Sequence, residues 1–277
     1  MAYKKILTIQ DISCVGQCSL TVALPILSAA GLETCILPSA VLSTHTAGFK
    51  GYTVRDLTDD IPAIAAHWEK EQIRFDAVYT GYLGSTKQID YVRDIIRKLS
   101  SDSGISIVDP AMADNGNLYP AFDAEYVEAM KGLAFSADII LPNITEACFL
   151  TDTDYREEYD EAWIAGLAQK LRSAGAGTVV LTGVGYRPDT TGVVVLDDGG
   201  LRYYEHRRIS KGCHGTGDVY ASAFVGALLQ GKSAYDAAVI AADYTVACIE
   251  ATQGDPQHWY GVKFELVLPE YIRMLKD

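Results

Sequence analysis

The sequence predicts an α/β protein: a doubly wound, mostly parallel central sheet with helices on both faces, in a single domain spanning 1–277. Three observations carry that expectation. Six runs are continuous and apolar, as strands covered on both faces of a parallel sheet are. Helical patterns separate them, and an alternation sustained this long calls for right-handed crossovers. No repeat, low-complexity tract or linker interrupts the 277 residues, which are enough to bury one large core.

In chain order, KKILTIQ (4–10) reads as a strand and 21–30 as a helix, then TCILPS (34–39) as a strand and 57–72 as a helix. AVYTGY (77–82), ISIVDP (105–110), ADIILPN (137–143) and TVVLTG (178–183) continue the strands. The helical patterns between them cover 89–99, 122–132, 145–150 and 158–174. GVVVLDD (192–198) and LRYYEHRRI (201–209) flank Asp198-Gly199-Gly200 and read as a β-hairpin. Helices over 217–231, 234–252 and 263–276 close the chain.

Composition narrows the partners. Hydrophobic residues are 49% and charged residues 21%, as in an ordinary folded domain. A formal net charge of -13 repels nucleic acid and anionic membranes. An anionic ligand must therefore be held by local amides, a metal or a few cations. No apolar stretch approaches the roughly 20 residues of a membrane span, and MAYKKILTIQD runs into a strand without a signal-peptide core. The six cysteines form no CxxC pair, which suits a reducing, cytoplasmic compartment and not a disulfide framework. The histidines and cysteines show no zinc spacing. The expected partners are small molecules.

In a sheet of this kind ligands bind beyond the carboxyl ends of the strands. Polar residues cluster there: 11–18 after the first strand, Thr80-Gly81-Tyr82 after the third, and Asp109-Pro110 after the fourth. Pro142-Asn143 with Glu146 follows the fifth strand, and Thr182-Gly183 the sixth.

Three stretches compete as phosphate sites. GALLQGKS (226–233) fits the P-loop string, but it continues a helical pattern, where a Walker motif needs a strand before its first glycine and a helix after its lysine. Gly231 reads there as a C′ glycine. TGVGYRP (182–188) puts Pro188 where a dinucleotide fingerprint needs its third glycine, which argues against a nicotinamide oxidoreductase. HGTGD (214–218) precedes an apolar helix. Its two glycines allow close backbone approach, and a helix start carries about half a positive charge. Asp218 at the same turn could take a proton from a hydroxyl, so the stretch fits phosphoryl transfer to an alcohol. It equally fits a capped helix entry with Asp218 or Thr216 as the cap. From these five residues alone both readings stand.

GTGD opening a late helix, with DP and PNxxE upstream, resembles the ribokinase-like superfamily of small-molecule kinases, and the likeness runs nearly end to end. Within it the vitamin B6 (pyridoxal) kinases are most similar. ILTIQDISCVGQCS resembles their IQS start. Residues 43–52 (STHTAGFKGY) resemble their S-N-H-T-x-Y-G element, Thr80 to Ser85 carries their TGYLGS, and Asp109-Pro110-Ala111-Met112 resembles their D-P-x-M.

The resemblance implies an ATP-dependent kinase acting on the 5′-hydroxymethyl group of pyridoxal, pyridoxamine or pyridoxine. It implies Asp218 as the base and Gly215, Thr216 and Gly217 as the anion hole. Thr46 and Tyr82 would line the pyridine pocket. Asp109, Asn143 and Glu146 would organise Mg²⁺ and its waters, with Asp109 also near the ATP phosphates. Leu141, Thr182 and Lys211 would contact ATP, Lys211 from the lid region. A homodimer is implied by resemblance alone, and a monovalent-cation requirement is left open.

One position departs from the family. Where it has serine after IQ, this chain has Asp11, with Ser13 two residues on. One or other is expected at the substrate, and a carboxylate there could face a pyridinium nitrogen or a protonated amine. Ser13 and the HGTG string also resemble hydroxymethylpyrimidine kinases, the rival acceptor class. A non-catalytic B6-binding protein is the alternative from another class, although it would need neither a base nor a magnesium cluster. Among the remaining residues, His45 reads more readily as a hydrogen-bonded loop residue than as a catalyst. Cys213 reads as a lid cysteine, and Tyr82 and Glu146 have structural readings as core aromatic and helix support.

Overall fold

The apolar runs assemble into one nine-stranded sheet in the computed structural model, which describes residues 3–209 and 214–276. The first half contributes β1 (Lys5–Ser13), α1 (Leu20–Ala29), β2 (Glu33–Leu42), β3 (Val54–Asp56), α2 (Ile61–Lys70), β4 (Phe75–Thr80), α3 (Thr86–Leu99) and β5 (Ser100–Val108). A small hairpin, β6 (Ala113–Asp114) and β7 (Asn117–Leu118), leads to α4 (Ala124–Ala134), β8 (Ile139–Ile140), α5 (Ile144–Leu150) and α6 (Glu161–Ser173). Then come β9 (Thr178–Thr182), β10 (Thr190–Asp197), β11 (Gly200–Arg207), α7 (Thr216–Leu229), α8 (Ala234–Thr252) and α9 (Phe264–Met274).

The strand order is β11-β10-β9-β8-β5-β4-β1-β2-β3. The six strands from β9 to β2 are parallel, and β10, β11 and β3 add antiparallel edges. Alternate side chains feed two cores. Leu7, Ile9, Val78, Val108 and Leu181 pack with Ile89, Val92, Met130 and Leu171. Ile6, Ala77, Tyr79, Ile107 and Val180 pack on the other face with Ile26, Phe224, Tyr244 and Tyr271. Each fully buried aliphatic chain of this kind contributes about 1.5–3 kcal/mol. Among the described residues no helix is long and apolar enough to cross a membrane.

Two elements were not expected. β3 is a three-residue exposed edge strand, too short and polar for any periodicity to mark it. The β6–β7 hairpin turns on Asn115 and Gly116, at φ 49° and 77°. Asn-Gly is a sequence signal for such a turn, present but unread.

The glycine motifs separate cleanly. Gly226 lies inside α7, where an added Cβ would come within 2.3 Å of the Tyr271 hydroxyl; it lets α9 approach. Gly231 has φ 92° just past the end of α7, and Ser233 caps α8 by accepting from the Asp236 N–H. GALLQGKS is therefore a helix end. TGVGYRP leads into β10 instead of a helix, so no dinucleotide site forms there. The carboxyl ends of β1, β4, β5, β8 and β9 and the starts of α5 and α7 supply the polar residues singled out from the sequence.

Candidate active site

On the acceptor side, β1 ends in two buried polar residues, Asp11 (5% exposed) and Ser13 (1%), beside an irregularity in the β1–β2 register at Gln10–Ile12. The Ser13 hydroxyl donates to Asp11 Oδ2 at 3.1 Å. Burial raises the Asp11 carboxyl above its usual range, opposed by the hydroxyls of Ser19 and Ser13.

Gly215 is the N-cap of α7 in the left-handed region, at φ 77° and ψ 2°. An added Cβ would lie 2.0 Å from the main-chain oxygen of Gln17, so glycine is required for both conformation and space. At Gly217 an added Cβ would meet nothing within 4 Å among the described residues. Thr216 is the first residue of the helix. Asp218, in the same first turn, is recessed, and burial pushes its carboxyl up to about 6. The Ser19 main-chain N–H opposes that rise, and the nearby charge of Asp11 adds to it. A carboxylate with this proton affinity suits general-base work near neutral pH.

On the nucleotide side, Asp109 follows β5, with its N–H on the Thr80 carbonyl at 2.9 Å. Burial, then the charges of Glu146 and Asp218, hold its carboxyl well above the usual range. Asn143 and Glu146 form a capping box at the start of α5. Asn143 Oδ1 accepts from the Glu146 N–H, and Glu146 Oε2 accepts from the Asn143 N–H, both at 2.9 Å. Glu146 Oε1 also accepts from the Met112 N–H, and burial pushes this carboxyl up to about 7.

Both side chains are thus already engaged. Among the described residues no group of three His, Cys, Asp or Glu is arranged to hold a metal by itself. Asp109 has no side-chain hydrogen bond among the described residues and adjoins two more carboxylates. That donor set fits Mg²⁺, which takes one or two carboxylates and completes its shell with water and phosphate.

Thr182, at the end of β9, and Asn143 line a cavity of about 560 Å³ with Gly183, Tyr186, Arg187 and Arg208. Leu141 does not reach it: the side chain is 3% exposed and packs in the core beside Val180. Strand alternation turns it inward, so only its main chain could meet a ligand. Tyr82 is part-buried, its ring 5.4 Å from Phe122, with the charge of Asp11 near enough to raise its hydroxyl after burial. Thr46 lies exposed on the 43–52 loop. Lys211 and Cys213 lie outside the described residues.

A protein-family model described as phosphomethylpyrimidine kinase matches residues 27–262. The chain belongs to this family. A hydroxymethylpyrimidine/phosphomethylpyrimidine kinase of Bacillus subtilis is 31% identical, over 78% of each chain. A Bacteroides thetaiotaomicron protein described as a phosphomethylpyrimidine kinase, crystallised with pyridoxal, superposes with a TM-score of 0.92 at 37% identity, covering 98% of this chain and 96% of its own. Pyridoxal kinase from Lactobacillus plantarum gives 0.91 at 32% identity, over 99% and 98%. The fold and the resemblance to ribokinase-like vitamin B6 kinases are borne out: the chain is a phosphotransferase of this family.

Sequence reasoning missed two parts of this kinase's site region. The loop 254–262 packs Trp259 on Phe49 (ring centroids 4.7 Å apart), and its Tyr260 carbonyl lies 2.7 Å from His45 Nε2. His45 Nδ1 accepts from the Ala47 N–H, so Nε2 carries the proton and the ring is a buried loop support, as its structural reading expects. The signal for this loop was an aromatic triplet, His258-Trp259-Tyr260, between two glycines. The second miss is Ser19, which no sequence pattern marks.

Proposed function

We propose that this kinase transfers the γ-phosphoryl group of ATP to the 5′-hydroxymethyl group of a vitamin B6 vitamer. The observation that carries the reading is the pairing of Asp11 and Asp218 at one recessed site. Asp11 offers a buried carboxylate to a pyridinium nitrogen or a protonated amine, and Asp218 offers a base of suitable proton affinity. The pyridoxal-bound Bacteroides relative and the Lactobacillus pyridoxal kinase support the acceptor class.

In this mechanism Asp218 takes the hydroxyl proton as the substrate oxygen bonds to the γ-phosphorus and the bond to ADP breaks. Main-chain N–H groups over Gly215, Thr216 and Gly217 receive the developing negative charge, aided by the helix start. The cavity at Thr182 and Asn143 takes the nucleotide, with Arg187 and Arg208 as its cations. Mg²⁺, held through Asp109 and through waters near Asn143 and Glu146, would neutralise phosphate charge. Tyr82 and Thr46 flank the acceptor.

Hydroxymethylpyrimidine is the second reading, favoured by the family description and by the Bacillus relative. The deciding assay is ADP release with Mg²⁺-ATP, offering pyridoxal, pyridoxamine, pyridoxine and hydroxymethylpyrimidine separately. Turnover of a B6 vitamer well above the pyrimidine is expected. Turnover of the pyrimidine alone would reassign the acceptor pocket. Vitamer binding without ADP release would make this a binding protein.

A further inference from the structure

Ser19 has a backbone conformation that serine rarely adopts, at φ 56° and ψ -129°. It precedes α1, and its carbonyl accepts from the N–H groups of Val22 and Ala23, so it occupies the N-cap position. A serine cap normally sits in the β region, with its hydroxyl accepting from the second or third helical N–H. Ser19 does neither.

Its atoms are directed elsewhere. The chain comes off β1, makes the 14–18 loop, and Ser19 returns to pair with Ile12. That return leaves Ser19 only 5% exposed, against the end of β1 that carries Asp11, and the loop just before it abuts Gly215 at the start of α7, the helix of Asp218. The two carboxylates belong to elements more than 200 residues apart, β1 and α7; the Ser19 hydroxyl lowers the proton affinity of Asp11 and its main-chain N–H that of Asp218. The loop is held from other sides as well. Gln17 Nε2 donates to Glu265 Oε1 at 2.7 Å, the Thr21 hydroxyl donates to the Cys18 carbonyl at 2.8 Å, and Gly215 abuts the Gln17 carbonyl.

A glycine would make this turn without strain, whereas a serine there is strained. Folding alone has no need of the hydroxyl. We infer that Ser19 is a positioning residue whose strained turn sets the separation between the acceptor-recognising carboxylate of Asp11 and the base Asp218. The inference rests on the proposed roles of those two residues. One residue then couples recognition of the acceptor ring to the place where its hydroxyl is deprotonated, a span that must be held to a fraction of an ångström for in-line transfer.

Two variants test this in the full chain, using whichever acceptor the wild type phosphorylates. Ser19→Ala keeps the N–H toward Asp218 and removes the hydroxyl from Asp11. The acceptor KM should rise about 10-fold, with kcat and the KM for ATP within about twofold. Ser19→Gly should raise the acceptor KM equally but melt about 2–4 °C above Ser19→Ala, because both lack the hydroxyl and only glycine escapes the strain. An unchanged acceptor KM overturns the inference. So do equal losses in kcat and in both KM values, which would make Ser19 a fold support, and so does an alanine variant that melts at or above the glycine one. A wild type silent with every acceptor rejects the proposed function instead, and the melting comparison then decides the strained turn by itself.

Discussion

Helix α7 carries a glycine signature at its start and another toward its end, alike as strings and opposite as physics. At the start, Gly215 is held left-handed against the Gln17 carbonyl, no described residue would meet a Cβ at Gly217 within 4 Å, and Asp218 sits in the first turn. The groups that a helix start leaves outside its own ladder are N–H donors, with the positive end of the helix behind them. At the far end, Gly226 is packed under Tyr271, and Gly231 merely lets the chain leave. The free groups there are carbonyls, which repel phosphate. A motif's position along the helix, more than its letters, decides whether it can meet an anion.

The comparison can be broken at either end. Asp218→Ala should lower kcat by roughly 10²–10⁴-fold in ADP release, the range for a general base. Near-normal turnover would remove the base from the start of α7. Wild-type kcat should also fall as the pH drops below about 6, where Asp218 takes up its proton. The same shift has a stability consequence. The folded-state value lies above the unfolded one, so the neutral form's contribution is present at low pH and lost as the pH rises through about 6. Asp218→Asn should therefore melt above the wild type at pH 8, with the gap closing toward pH 4.

Gly215→Ala should cost about 1–3 kcal/mol of stability from backbone strain, and kcat should drop at least about tenfold because the Gln17 carbonyl forces the turn to shift. Glu146→Gln sharpens the division between capping and metal organisation. It keeps one acceptor of the capping box and removes the charge, so the Mg²⁺ needed for half-maximal rate should rise about tenfold. An unchanged Mg²⁺ requirement in that titration would leave Glu146 as a cap alone. Smallest of all, Gly231→Ala should cost about 1 kcal/mol, and Lys232→Ala should leave the KM for ATP within about twofold, measured in the same assay. A large rise in that KM would restore the P-loop reading.

Much of this was legible. The six parallel strands announce themselves because both faces are covered, so their apolar runs are continuous. Asp218 and the glycines before it were readable as a string, and the left-handed backbone of Gly215 is a local demand, but the Gln17 carbonyl that also requires glycine there is a tertiary neighbour. Leu141 was expected to contact the nucleotide, and its buried side chain leaves only the main chain for that, because adjacency to a strand end says nothing of which way a side chain alternates. Asn143 and Glu146 were singled out, and N-x-x-E is itself a capping signature of which only the helix support from Glu146 was read; the start of α5 shows the pair capping reciprocally. Ser19 left no trace, since neither its conformation nor its two neighbours can be read from a serine in a loop.

By itself the sequence determined the layered α/β architecture and the glycine-bounded start of α7. Those follow from periodicity and local backbone demands, which act over short spans of chain. Tertiary structure alone decided which carboxylates meet. Asp11, Asp109, Glu146 and Asp218 come from four separate segments, and their raised proton affinities arise from burial and, for Asp109 and Asp218, also from the charge of others among them. Desolvation and Coulomb energy depend on distances through space, and no local pattern in the chain encodes them.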